Sequence, residues 1–193
     1  MHPAWTRRPL PLSSSGSSSE SGPPLEVLTS SPLQTEGLGG ALVAVLPPGA
    51  IVYLVGEIGA GKTTFVRGAA RGLGITEPIT SPTFTIANRY AGDRELAHID
   101  AWRLVSPDSE DLAAVLASFG EEALVFIEWP DQLADALPAA AVRVELEHRS
   151  PSERLLRFWP DRSSIRSAIT RLIADSRARY GSPESKPGDP GGG

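Results

Sequence analysis

No cysteine occurs among the 193 residues. That absence removes disulfide scaffolding, a thiol nucleophile and thiolate metal sites together. Histidine is almost as scarce: His2, His98 and His148 are the whole supply, too few for a histidine-built metal centre. No apolar run reaches the roughly 18 residues that a membrane-spanning helix needs. The N-terminus lacks an apolar stretch of signal-peptide length, so the cytoplasm is the expected location, with no membrane partner. Positive charge is not in excess either. With 18 basic and 23 acidic side chains the net charge is −5, which disfavours a protein that grips nucleic acid through a basic surface.

Composition divides the chain. Residues 1–24 carry two serine triplets and five prolines with little to bury, and 181–193 read GSPESKPGDPGGG; both are expected to be disordered. Residues 25–180 are the expected folded domain, of ordinary single-domain size. Within it, residues 25–160 hold 10 Lys/Arg against 18 Asp/Glu, a net of −8. Any RNA is therefore a more natural indirect participant than a direct ligand of this acidic body.

Strand and helix patterns alternate along the domain. Leu25–Leu28 is a short strand candidate, and Thr35 is placed to cap a helix running to Leu46, before Pro47 and Pro48. Ile51–Val55 is continuously apolar, as a strand covered on both faces should be. A helix from Lys62 to about Leu73 ends at Gly74. Thr83–Tyr90 and Arg94–Ile99 read as extended, joined by Ala91-Gly92-Asp93. Asp108–Phe119 reads as helix and Leu124–Ile127 as buried strand. Val142–Leu146 and Arg154–Phe158 follow, joined by a Ser/Pro turn. Ile165, Ile169, Leu172 and Ile173 then mark one face of a final helix.

Between the second strand and the second helix lies Gly56-Glu57-Ile58-Gly59-Ala60-Gly61-Lys62-Thr63, which fits GxxxxGK[ST] in the setting that motif requires. From 19 glycines, 2 lysines and 31 Ser/Thr, chance yields the pattern in roughly 0.3% of such chains, before strand and helix context are demanded. Glycines let successive backbone N–H groups turn inward on phosphate oxygens, and the helix N-terminus adds partial positive charge. Gly59, Ala60, Gly61, Lys62, Thr63 and Thr64 are thus the candidate residues for binding a nucleoside triphosphate. Lys62 would reach the β- and γ-phosphates, and the Thr63 hydroxyl would bind Mg²⁺. Lys62 is the single lysine of the folded part, since Lys186 lies in the tail. The fold expected is an α/β, P-loop NTPase-like three-layer sandwich with a mixed, mostly parallel central sheet.

A nucleoside triphosphatase also needs a carboxylate at the end of a neighbouring strand. Leu124-Val125-Phe126-Ile127 runs directly into Glu128, which makes Glu128 the second candidate Mg²⁺ ligand beside Thr63. Strand alternation puts Leu96, His98 and Asp100 on one face, so Asp100 can orient an attacking water. Asp100, Glu128 and Lys62 are the candidate catalytic residues. His98 reads more readily as a hydrogen-bonded structural residue than as a base. Ser81-Pro82-Thr83-Phe84-Thr85 is a stiff, hydroxyl-rich turn suited to sensing a γ-phosphate.

These four runs, with His98-Ile99-Asp100-Ala101-Trp102-Arg103-Leu104 and Ile127-Glu128-Trp129-Pro130 completing the set, resemble the TsaE family, also called YjeE. The family pattern is close to GDLGAGKTT, SPTF, HxDLYRL and EWP. This chain has Glu57 for Asp, Ala101 for Leu and Trp102 for Tyr, and the likeness covers about residues 25–178. The resemblance implies a small P-loop ATPase required for threonylcarbamoylation of the adenosine beside the anticodon. It implies partners TsaD and TsaB, with TsaD transferring the group and ATP hydrolysis resetting the complex, and tRNA met only through that complex. Carried over, Thr63 and Glu128 are Mg²⁺ ligands, Lys62 the phosphate clamp, Asp100 the acid needed for hydrolysis, and Ser81–Thr85 the switch-like segment. Gln34–Glu36 and Ser150–Arg154 occupy the places of the family's adenine contacts.

Two other readings use the same phosphate cradle. A small-molecule kinase normally adds an arginine-bearing lid, and no Arg-rich insert follows Glu128 within the core. A nucleotide-dependent binding module, in which turnover is incidental, differs in not needing Asp100. A GTPase would need an Asn-Lys-x-Asp segment, which the chain lacks.

Overall fold

The structure, a computed structural model, describes residues 22–81, 86–104, 109–133 and 136–180. Its elements are β1 (Leu25–Thr29), α1 (Pro32–Val43), β2 (Ile51–Val55), α2 (Lys62–Gly72), β3 (Ala87–Tyr90), β4 (Leu96–Asp100), α3 (Ser109–Leu116), β5 (Leu124–Glu128), β6 (Val142–His148), β7 (Arg154–Pro160) and α4 (Ser163–Tyr180). The described strands form one sheet in the order β1-β7-β6-β2-β5-β4-β3. Its middle strands β6, β2, β5 and β4 are parallel. At the two ends β7, β1 and β3 join antiparallel. This is the α/β fold with a mixed sheet, parallel at its centre, that the alternating pattern predicts.

Alternation along each strand decides which layer a side chain joins. Val52, Leu54, Leu124, Phe126, Val144 and Phe158 enter one core with Leu38, Leu42, Phe65, Val66, Ile165 and Ile169, so α1, α2 and α4 cover that face. Ile51, Ala97, Ile99, Val125 and Ile127 enter the other, with Val115 of α3. All five residues of β5 are buried, which is why its sequence reads as an apolar run without alternation. Asp100 and Glu128 share the phase of Leu96 and Phe126, so both acids emerge on the α2 side.

The first helix differs from expectation. It begins at Pro32, and Ser31 is its cap, its hydroxyl accepting from the Gln34 amide. Proline at the first helical position beside a serine cap is the stronger start signal. Thr35 instead sits inside the first turn, its hydroxyl 2.9 Å from that of Thr29. The helix stops at Val43, short of Leu46: the Val45 amide bonds back to the Leu42 carbonyl in a tighter turn, and Leu46, before Pro47, is driven out of helical conformation. Helix α3 stops at Leu116, and tighter bonds from Ser118 to Val115 and Phe119 to Leu116 close it. Asp108 and Pro82–Thr85 lie outside the described residues, as do residues 1–21 and 181–193.

Helices α1 and α2 cross at glycines. A Cβ on Gly68 would stand 1.9 Å from the Glu36 carbonyl oxygen, so only glycine allows this approach. Gly68→Ala is expected to lose about 1–3 kcal/mol of stability through overpacking, read as a lowered midpoint in urea unfolding. An unchanged midpoint would mean that the two helices sit further apart.

Two of the four arginines of α4 reach the segment that leads into the sheet. Arg166 donates to the carbonyls of Gly22 and Pro23, and Arg177 to that of Glu26, fastening the chain's entry into β1. Among the described residues, no helix is long and apolar enough to cross a membrane.

Candidate nucleotide-binding site

The loop after β2 can only be built with glycine at its first position. Gly56 has φ +146°, and a Cβ there would lie 2.2 Å from the Leu146 carbonyl oxygen. Gly61, at φ +104°, caps α2, so the helix starts with Lys62 and its unpaired amides face the loop.

Lys62 is 5% exposed. Its ammonium donates to the carbonyls of Gly56 at 2.7 Å and Glu57 at 2.9 Å, and lies 4.0 Å from the centre of the Trp129 ring. Burial lowers its pKa from the ordinary lysine value, opposed by the negative charges of Glu128 and Asp100. Thr63, next on the helix, donates its hydroxyl hydrogen to Glu128 Oε1 at 2.9 Å. Glu128 is only 3% exposed. Asp100 stands directly opposite Glu128 in the parallel β4–β5 register. Its carboxylate accepts from Ser81 Oγ at 2.5 Å and from the Trp102 amide at 3.0 Å. The second contact caps a short 3-10 turn, Ala101–Arg103.

These groups converge on one cleft of about 400 Å³, lined by Ile58, Gly59, Gly61, Lys62, Thr63, Thr64, Arg67, Ser81, Asp100, Trp102, Glu128 and Trp129. A larger hollow of about 580 Å³, lined by Arg67, Arg71 and residues 74–79, lies alongside. The smaller one collects the convergent polar groups that mark a binding site.

Of the candidate residues, Gly59, Gly61, Lys62, Thr63, Thr64, Asp100 and Glu128 all reach this cleft. Ala60 does not line it; it packs into the core at 1% exposure, and its amide donates to the Glu57 carbonyl. Thr35 and Arg154 stand beside the loop, with Arg154 3.4 Å from the Gly59 carbonyl oxygen and the Thr35 methyl 3.9 Å from a Cβ built on Gly61. Glu36 turns instead to Arg71, and Gln34 accepts from Ser30.

One wall residue, Arg67, escaped the sequence reading, and two more, Trp102 and Trp129, stood there within the motifs without an assigned role. Arg67 lies four residues after Thr63, one turn along the same helix face, and that spacing could have found it. Trp102 packs on Trp129 with ring centres 4.5 Å apart. Trp129 adopts φ +58°, a rare conformation for a bulky residue and one that clusters at functional sites. Nothing in the sequence announces it.

The donor set suits Mg²⁺. A hydroxyl and a carboxylate oxygen are hard ligands, and Mg²⁺ characteristically takes only one or two protein oxygens beside phosphate and water. A bound nucleotide would complete such a shell.

The family model for threonylcarbamoyl adenosine biosynthesis protein TsaE matches residues 29–156. The chain belongs to the TsaE family. That match contains every residue lining the cleft. The chain is 35% identical to a Bacillus subtilis protein named tRNA threonylcarbamoyladenosine biosynthesis protein TsaE, over 67% of this chain and 82% of the relative. It is 43% identical to a protein of that name from Treponema pallidum, over 56% of this chain and 80% of the relative. The fold is similar to the crystal structure of Bacillus subtilis YdiB, with a TM-score of 0.63 and 27% identity, covering 79% of this chain and 95% of that one. The TsaE likeness thus extends from the four motifs to the sheet that carries them.

Proposed function

We propose that this TsaE-family chain binds ATP with Mg²⁺ and hydrolyses it in support of threonylcarbamoylation of the adenosine next to the tRNA anticodon. It acts on a complex of TsaD and TsaB and does not transfer the group itself. The observation that carries the reading is the 2.9 Å hydrogen bond between Thr63 and Glu128. It joins the first turn of the helix behind a phosphate-type loop to the end of the adjacent parallel strand, the two places from which a nucleoside triphosphatase holds its cation.

Each residue has a separable task. Backbone amides of the loop and the Lys62 ammonium bind phosphate oxygens. Thr63 and Glu128 would hold Mg²⁺, which when bound neutralises charge on the phosphate oxygens. Asp100, fixed by Ser81 and the Trp102 amide, orients the attacking water and accepts its proton. Trp102 and Trp129 wall the site against bulk water. Arg67 donates to Thr64 Oγ1 at 3.0 Å and the Thr63 carbonyl at 3.5 Å. That commitment leaves a docked partner to complete the charge stabilisation. The acidic body repels RNA phosphates, in keeping with tRNA met through the partners.

Mass spectrometry of tRNA nucleosides after depletion of this protein tests the reading. Threonylcarbamoyladenosine is expected to disappear and to return when the gene is restored. An unaltered nucleoside profile would remove the chain from the pathway.

A further inference from the structure

Building on the nucleotide site just proposed, we infer that His98 is a positioning residue, whose Nε2 donates to Glu128 and pins that carboxylate against Thr63 for metal binding. His98 lies on β4 in the same phase as Asp100 and is completely buried. Its Nε2 is 2.9 Å from Glu128 Oε1. Their strands pair His98 with Phe126 and Asp100 with Glu128, so the contact runs diagonally across the parallel ladder.

The same Oε1 also accepts the Thr63 hydroxyl hydrogen at 2.9 Å. An ionised carboxylate has no hydrogen to offer, so both contacts are donations to it. Two donors meeting on one oxygen hold a side chain that could otherwise rotate about its own bonds. Because the Thr63 hydrogen is spent on Glu128, the lone pairs of Thr63 Oγ1 are left to face a cation. The contact from His98 therefore orients both protein ligands at once, as an outer partner of a metal ligand does.

The other ring nitrogen argues against a mere packing role. His98 Nδ1 is buried and has no hydrogen-bond partner among the described residues. A buried nitrogen without a partner is unfavourable, and a site that only needed volume would be better filled by an apolar side chain. What histidine provides here, and leucine does not, is the donor at Nε2.

The test compares His98→Leu, His98→Asn and His98→Gln in the full chain. Each is titrated with the ATP analogue AMP-PNP, once in EDTA and once in MgCl₂. Glutamine can present its amide nitrogen near the position of Nε2, whereas asparagine falls short. In the parent protein Mg²⁺ is expected to tighten binding. His98→Leu and His98→Asn should lose about 10-fold or more of that tightening while the affinity in EDTA is unchanged, and His98→Gln should regain it. If His98→Leu does not fold, the asparagine and glutamine pair decides. Full Mg²⁺ tightening in the asparagine variant overturns the inference, as does an equal fall in EDTA, which would mark a structural role. Failure of glutamine to restore the increment overturns it too. A parent protein that binds no more tightly with Mg²⁺ sinks the nucleotide-site reading itself, and that result is visible before any variant is made.

Discussion

Asp100→Asn lowers partner-stimulated ATP turnover by about 10²- to 10⁴-fold and leaves equilibrium ATP binding unchanged. Asparagine is the informative replacement, because Asp100 has two tasks. One of its oxygens caps the 3-10 turn by accepting from the Trp102 amide, and the asparagine side-chain oxygen can do the same. The Ser81 hydroxyl, which donates to the other oxygen, can rotate to accept from an amide instead. Shape and capping are therefore kept, and only the charge and basicity that water activation needs are removed. Alanine would also delete the cap, at a cost of about 1 kcal/mol, and would confuse the two effects. Phosphate release measured with TsaD and TsaB, beside a binding titration, separates them. Undiminished turnover would take Asp100 out of the mechanism and favour a module in which nucleotide only locks a conformation.

Lys62→Ala weakens ATP binding on the order of 10²-fold or more. A charge-assisted hydrogen bond contributes about 1.5–3 kcal/mol, and the lysine of this loop meets more than one phosphate oxygen. Effects on folding should be small by comparison, since two terms oppose each other. Removing the ammonium strips the Gly56 and Glu57 carbonyls of a donor and deprives Glu128 and Asp100 of the Lys62 charge. It also ends the burial that pushes the Lys62 pKa down. Titration with ATP, paired with a thermal melt, reads both. Affinity equal to that of the parent would mean that the phosphates sit elsewhere, and the assignment of the cleft would fall.

Much of the site was legible because its parts are local. The glycine-rich loop of the candidate site is one contiguous segment with a fixed spacing, bounded by a strand and a helix that periodicity reveals. Glu128 stood out because four apolar residues lead straight into it. Asp100 followed from counting by twos along β4. The bond between His98 and Glu128 was not legible, because it depends on how β4 and β5 are registered for two residues 30 positions apart. Arg67 was passed over although its helical spacing from Thr63 was plain. The left-handed backbone of Trp129 and its ring beneath Lys62 arise from what surrounds the end of β5, and residue type foretells neither.

The start of α1 shows the same boundary at smaller scale. The sequence reading put the cap at Thr35, four residues beyond Ser31, where the structure has it. Proline after Ser31 favours the earlier start, and burial of Thr35 against Thr29 closes the choice. By itself the chain's order of residues determined the alternating elements, the mixed sheet and the glycine-rich loop between β2 and α2, because each follows from short-range periodicity and backbone sterics. Which strands became neighbours, and hence which carboxylate met the Thr63 hydroxyl and which histidine met that carboxylate, was decided by tertiary packing. Those contacts join residues remote in sequence, and only the assembled sheet brings them within hydrogen-bonding distance.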